Sequence, residues 1–226
     1  MSRADARAGQ RTTGRVPLSS GALGLAAVFA AGFWVGVVVA FHWIRSDLEP
    51  CCAFVSNYAR GDLDWLMQAA FVVFGFGWMA VGIALHRALR GLRGAHLVLA
   101  TLLVAGVGFV GSGVFRADDV GRVGAPSTEN MMHTLAGILA FGGLIVFGIA
   151  AWFALRREPT LRPLALPHLA LGLVTLVLLV TFTVWAETTG DGFGWWQRLL
   201  VMVVLPGWQA WLGMRLVKAT APPASS

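Results

Sequence analysis

Leu23-Gly-Leu-Ala-Ala-Val-Phe-Ala-Ala-Gly-Phe-Trp-Val-Gly-Val-Val-Val-Ala-Phe-His-Trp-Ile44 decides the fold. It holds no Asp, Glu, Lys or Arg. The apolar core of a signal peptide is about 7–15 residues, so this run is too long to be cleaved and reads as a signal anchor. Five runs of the same character follow: Trp65–Leu85, Ala95–Phe115, Met131–Leu155, Leu166–Ala186 and Trp195–Leu216. Each is close to the roughly 20 residues a helix needs to cross the hydrocarbon core. Backbone in lipid must satisfy its own hydrogen bonds, so all six are predicted to be helices. Transmembrane strands would leave short alternating segments, and none is seen. The predicted fold is an all-α integral membrane bundle of six transmembrane helices over 21–218. A disordered basic arm (1–20) precedes it and a flexible tail (219–226) follows.

Composition agrees. The chain has 226 residues and is 57% hydrophobic but only 12% charged, with mean hydropathy +0.72. A soluble domain carries about 25% charge. Each charge at the bilayer centre costs several kcal/mol, so a chain this poor in charge belongs in lipid. The net charge of +6 does not point to nucleic acid. The basic residues sit in short runs between apolar segments, with no basic, aromatic-bearing face. Abundant Ala, Gly, Val and Arg with a single Lys suggests a GC-rich bacterial genome.

Those charges predict orientation. With six spans, the arm, Arg87, Arg90 and Arg93, Arg156, Arg157 and Arg162, and the pair Arg215 and Lys218 share one side. That side has twelve of the seventeen Lys and Arg, while the other has nine of the eleven acids. The positive-inside rule then places both termini in the cytoplasm of a bacterial plasma (inner) membrane. Trp43, Trp65, Trp185, Trp195 and Trp196 fall at the opposite boundary, as an aromatic belt does.

Packing is legible too. Gly32-Phe-Trp-Val-Gly36 is a small-xxx-small pair, and Gly106, Gly108, Gly111 and Gly113 thin one stretch of the third run. Small residues let membrane helices approach closely. Pro206-Gly207 is expected to kink the sixth run. Cys51 and Cys52 are adjacent, and neighbouring cysteines close a strained ring. They read as two loop thiols, or as partners for an intermolecular bond or a soft metal.

The central slab of every run lacks Asp, Glu, Lys, Arg and His. Proton-coupled transporters place such groups deep in the membrane, so that class is disfavoured. The polar residues collect at the predicted outer ends: His42, Asp62, Asp64, Gln68, Arg116, Asp118, Asp119, Glu129, Asn130, His133, Glu187, Asp191, Gln197 and Arg198. Converging helix ends would make an outward-facing polar pocket. Acids at helix N-termini are also favoured by the helix dipole, so Asp64 and Glu129 have a purely structural reading.

His133 is the sharpest single residue, as acid/base group, metal ligand, headgroup contact or core histidine bonded to a neighbouring loop carboxylate. Arg198 suits a bidentate oxyanion contact or an ion pair with Asp118 or Asp119. Glu129 and His133 stand four apart on one helix face, a weak metal signal. No metal motif, nucleotide loop or nucleophile elbow is present. Five histidines spread over both ends allow a two-haem electron carrier to be considered. No cofactor is strongly indicated.

Three stretches carry a family resemblance. Val55-Ser-Asn-Tyr-Ala-Arg-Gly-Asp-Leu-Asp-Trp-Leu-Met67 resembles the S-x-Y-x-x-G-x-x-x-W-L-M lead-in to the second helix of the domain-of-unknown-function-998 membrane family. Phe115-Arg-Ala-Asp-Asp-Val-Gly121, with His133 after it, is similar to that family's F-x-x-D-x-x-G … H loop and helix start. Gly192-Phe-Gly-Trp-Trp-Gln-Arg198 resembles its G-x-x-Q-R approach to the last helix. The family more often has Pro after the Phe, which leaves Asp118 and Asp119 both as candidates for the motif acid. The resemblance spans roughly 23–217. It implies a multipass bacterial membrane protein, typically of six helices, with no established reaction. It directs attention to Tyr58, Asp118, Gly121, His133, Gln197 and Arg198.

The leading expectation is an outward pocket that binds a lipid headgroup or small amphiphile. Arg198, Gln197, Arg116, Tyr58 and Gln68 would bind, and His133, Asp118 and Asp119 would orient the ligand or exchange a proton. Three alternatives stand beside it. One is a membrane-embedded enzyme on a lipidic substrate, such as an isoprenoid cyclase, with paired acids under Trp185, Trp195 and Trp196. The others are a structural subunit docking a membrane-protein partner or a second copy through its Gly-rich faces, and a haem carrier.

Overall fold

A computed structural model describes residues 18–119 and 123–220. The basic arm up to residue 17, the end of the tail, and residues 120–122, including the motif residue Gly121, lie outside the described residues. Among those described, all regular structure is helical: α1 (Leu18–Ile44), a 3-10 turn (Val55–Ala59), α2 (Asp64–Ala88), α3 (Ala95–Val114), α4 (Thr128–Leu155), α5 (Arg162–Thr188) and α6 (Phe193–Thr220). All six helices are long and apolar enough to cross a membrane. The six runs expected from hydropathy are therefore six helices, five of them extended at one or both ends. The extensions are amphipathic ends such as Thr128–Asn130, where hydropathy falls but the helix continues.

The helices form a closed ring in chain order. Each packs on the next, and α1 closes the ring against the second half of α6. Both described ends lie together, with Gly21 against Thr220. The centre is aromatic: Trp34, Phe74, Trp78, Phe147 and Trp208 are buried and touch in sequence across α1, α2, α4 and α6.

Glycine decides how close the helices come, though not at every glycine of the first run: Gly24 lies against the Gly213 carbonyl of α6, where a Cβ would come to 2.5 Å. A Cβ on Gly108 would meet the Ala136 carbonyl of α4 at 2.6 Å, and one on Gly148 would meet the His168 carbonyl of α5 at 2.7 Å. By contrast, Gly32 and Gly36 have nothing within 4 Å and are exposed. Their expected role in packing is not realised within this chain. The α3 glycines, in turn, are covered by α2 and α4 and are not free to dock a partner.

The kink expected at Pro206 takes a specific form. Leu199–Val204 is a turn of π-helix inside α6. Proline has no N–H, and in a π turn its missing donor would have served the carbonyl five residues back, that of Val201. The Trp34 indole N–H supplies the lost bond, donating to Val201 O at 2.6 Å.

The α1–α2 connection is folded into the bundle end. Ala53, Val55, Tyr58 and Ala59 are at most 2% exposed, because the 3-10 turn directs its apolar side chains between α1, α2 and α6. Cys51 and Cys52 are bonded to one another, which corrects the expectation of two separate thiols. The turn in which Cys52 N–H donates to Glu49 O, 3.1 Å, brings the adjacent side chains together. Glu49 and both sulfurs lie within 4.8 Å, but a disulfide has no thiolate to offer a metal.

Candidate functional site

At the bundle end that carries most of the acids, Arg198 is 4% exposed. It sits on the first turns of α6, where Gly192 (φ 76°) starts the helix in a conformation that glycine adopts without strain. Its Nε–H donates to His42 Nε2 at 3.0 Å, and one terminal nitrogen donates to Ala53 O at 2.9 Å and Gly194 O at 3.2 Å. The other donates to the Tyr58 hydroxyl at 2.9 Å. No carboxylate takes part. The expected pairing with Asp118 or Asp119 is therefore corrected: four neutral acceptors from α1, the loop before the 3-10 turn, the turn itself and α6 solvate the guanidinium instead. Arg198 joins the turn to the helices, and Tyr58 and His42 are its partners. His42 Nδ1 faces Val38 O at 2.7 Å. A carbonyl only accepts, so Nδ1 carries the hydrogen and Nε2 is the lone pair facing Arg198. With both nitrogens engaged, His42 cannot be a haem ligand.

The acids are engaged elsewhere. Arg116 lies 3.0 Å from Glu129 and 3.4 Å from Asp64, and Arg60 lies 3.6 Å from Glu129 and 3.7 Å from Asp119. The carboxylate beside it raises the Arg116 pKa above its ordinary value, chiefly through the hydrogen bond to Glu129. Asp118 accepts from Ser127 N at 2.9 Å and Ser127 Oγ at 2.6 Å, while its own N–H donates to Asn130 Oδ1 at 3.0 Å. Asn57 of the turn donates to Asp118 O at 3.2 Å. Asp118 therefore fastens the α3–α4 loop to the start of α4 and to the turn. Glu129 faces arginine and not His133, so the metal signal of that pair is not realised.

His133 and Gln197, in contrast, line one cavity of about 60 Å³, together with Ser56, Ser112, Trp34 and Phe141 among others. Five helices and the turn contribute to it. His133 Nδ1 is 2.8 Å from Phe115 O, which again makes Nδ1 the donor and leaves Nε2 for a further partner. Gln197 accepts from Val55 N at 2.8 Å through Oε1, which leaves its amide N–H groups as donors. Asp118, Asp119, Arg116, Arg198, Tyr58 and Gln68 do not line this cavity. Nor do Trp185, Trp195 and Trp196, which are at least 40% exposed. The acids and the aromatic ceiling of the cyclase reading are thus not assembled around it.

The sequence reading missed Ser56, Ser112 and Trp34. A tryptophan in mid-helix, away from the boundary where membrane tryptophans gather, was the available signal for Trp34. The two serines gave none.

Six apolar helices around an aromatic core, with buried polar groups at one end, define a multipass α-helical membrane protein. Within that class, the chain belongs to the family described as Protein of unknown function (DUF998), whose model matches residues 5–215. No curated protein and no solved structure matches it.

Proposed function

We propose that this is a bacterial plasma-membrane protein with both termini in the cytoplasm, and that the cavity at His133 and Gln197 faces outward and takes the polar part of a lipid or small amphiphile. The observation that carries the proposal is the cavity itself. Four polar side chains from four separate elements meet there beneath Trp34, Phe71 and Phe109. His133 Nε2 and the Gln197 amide offer an acceptor and donors for a hydroxyl, amine or phosphate oxygen, and the aromatic walls accept the first carbons of a chain. About 60 Å³ admits a small head or a chain end, not a whole lipid. Arg198, Tyr58 and His42 act by holding the turn that supplies Val55 and Ser56. They do not touch the ligand.

The test is thermal unfolding of the purified chain in detergent, with lysophosphatidylethanolamine and monoolein as probes. At least one should raise the melting temperature of the wild type but not of His133→Leu or Gln197→Leu. Equal stabilisation of all three proteins would overturn the reading.

A further inference from the structure

A larger cavity than that at His133 lies at the opposite end of the bundle. It measures about 310 Å³ and is walled by Leu85 of α2, Val98 of α3, Phe147 and Leu155 of α4, and Leu212 of α6, among others. That volume is at the lower end of the roughly 300–1,000 Å³ range of small-molecule sites. Nearly all of its wall is aliphatic or aromatic. The exceptions are His168, which is 3% exposed and bonded through Nδ1 to Leu164 O at 2.6 Å, and Arg215.

Two features say what it holds. The first is the way in. Packing of α5 on α6 runs along Phe193–Val204 and falls away over Leu205–Thr220. The ring therefore has a seam between α5 and α6 at this end, bridged by the His168 and Trp211 rings at 5.3 Å. Helix α5 is also the least covered of the six, with 22% of its apolar window buried. A chain lying in the surrounding leaflet reaches the cavity through the seam without crossing water.

The second is charge. Arg215 is exposed on the last turns of α6, its guanidinium 5.4 Å from the Trp211 ring centre. Among the described residues, no carboxylate lies within ion-pair distance of it. Arg87, Arg90, Arg93, Arg156, Arg157, Arg162 and Lys218 share this end with one described acid, Glu158. An apolar slot opening sideways, rimmed by an unpaired cation within a basic surface, fits an acyl chain with a negative head.

We infer that this cavity is a binding site for an anionic phospholipid of the surrounding leaflet, with one acyl chain inserted through the α5–α6 seam and its phosphate on Arg215. The site is distinct from the His133 cavity and does not depend on it.

The test uses the full chain in detergent, with phosphatidylglycerol and phosphatidylcholine of identical acyl chains, and lipid retention read by native mass spectrometry. Wild type should retain phosphatidylglycerol about fivefold better, the weight of one basic residue at a membrane surface. Arg215→Gln, an exposed change that leaves the core intact, should bring the two lipids level. A phosphatidylglycerol bearing a photoreactive group at its acyl end should label the Leu85, Leu155 and Leu212 region. Equal retention of both lipids by wild type, a preference that survives Arg215→Gln, or labelling confined to the outer helix faces would each overturn the proposal.

Discussion

Arg198 donates to the lone pair of His42 Nε2, 3.0 Å away and 156 positions apart in the chain. A buried guanidinium held by a neutral imidazole, a phenol and two carbonyls is fixed by geometry and not by opposite charge. Lysine, with three donors around one nitrogen, cannot reach the same four acceptors. Arg198→Lys should therefore destabilise nearly as much as Arg198→Ala. An unsatisfied buried group costs about 1–3 kcal/mol, and several are left, so a loss of about 3 kcal/mol or more is expected in thermal melts. A lysine variant melting like wild type would show that charge alone suffices.

Tyr58→Phe removes a single acceptor and keeps the ring packing on Phe41 and His42. One guanidinium N–H is then unsatisfied, for a loss of about 1–3 kcal/mol. Denaturant unfolding in a fixed detergent reads this. A change below about 0.5 kcal/mol would mean that water reaches Arg198.

Asp118 and Ser127 should behave as a pair. Ser127 caps α4 by accepting from Asn130 N at 3.1 Å and donates its hydroxyl to Asp118. Ser127→Ala loses a cap worth about 1 kcal/mol. Asp118→Asn weakens the same clamp, so the double variant should cost less than the sum of the singles. Additive losses in a double-mutant cycle would separate the two roles.

Glycine positions give a contrast. Gly148→Leu has no room against the α5 backbone and should abolish a monodisperse peak in size-exclusion chromatography, whereas Gly32→Leu projects into open space and should leave the melting temperature unchanged.

The pH response at the α1 end has a sign. The hydrogen bond from Arg45 holds the Asp47 carboxyl below its ordinary range. The contribution is complete above the unfolded carboxylate value of about 4 and is lost as pH falls through the lower folded value. Asp47→Asn should flatten the acid side of a melting-temperature profile below about pH 4 while leaving the neutral region close to wild type. An unchanged acid slope would mean that the pair contributes nothing.

The membrane-spanning architecture was legible because hydropathy acts on each helix alone: every run from Leu23–Ile44 onward needs lipid whatever its neighbours do. The end of the bundle was legible only as a collection. Sequence order places His133, Gln197, Asp118 and Arg198 at one end, but pairing depends on how helices rotate about their axes. A one-residue step turns a side chain by about 100°. That step separates Gln197, in the cavity wall, from Arg198, bonded to Tyr58 of the 3-10 turn. Likewise, nothing local distinguishes Gly32, facing outward, from Gly108, facing α4. Ring closure decides it.

The π turn in α6 has a consequence for spacing. Leu199–Val204 holds the segment Phe193–Arg198 out of phase with Leu205–Thr220. Deleting one residue within it would restore a continuous α-helix and swing Gln197 and Arg198 by about 100° around the axis. The two ends of α6 thus answer to different neighbours, the upper to the 3-10 turn and the lower to α1. The extra residue is what lets one helix keep both registers.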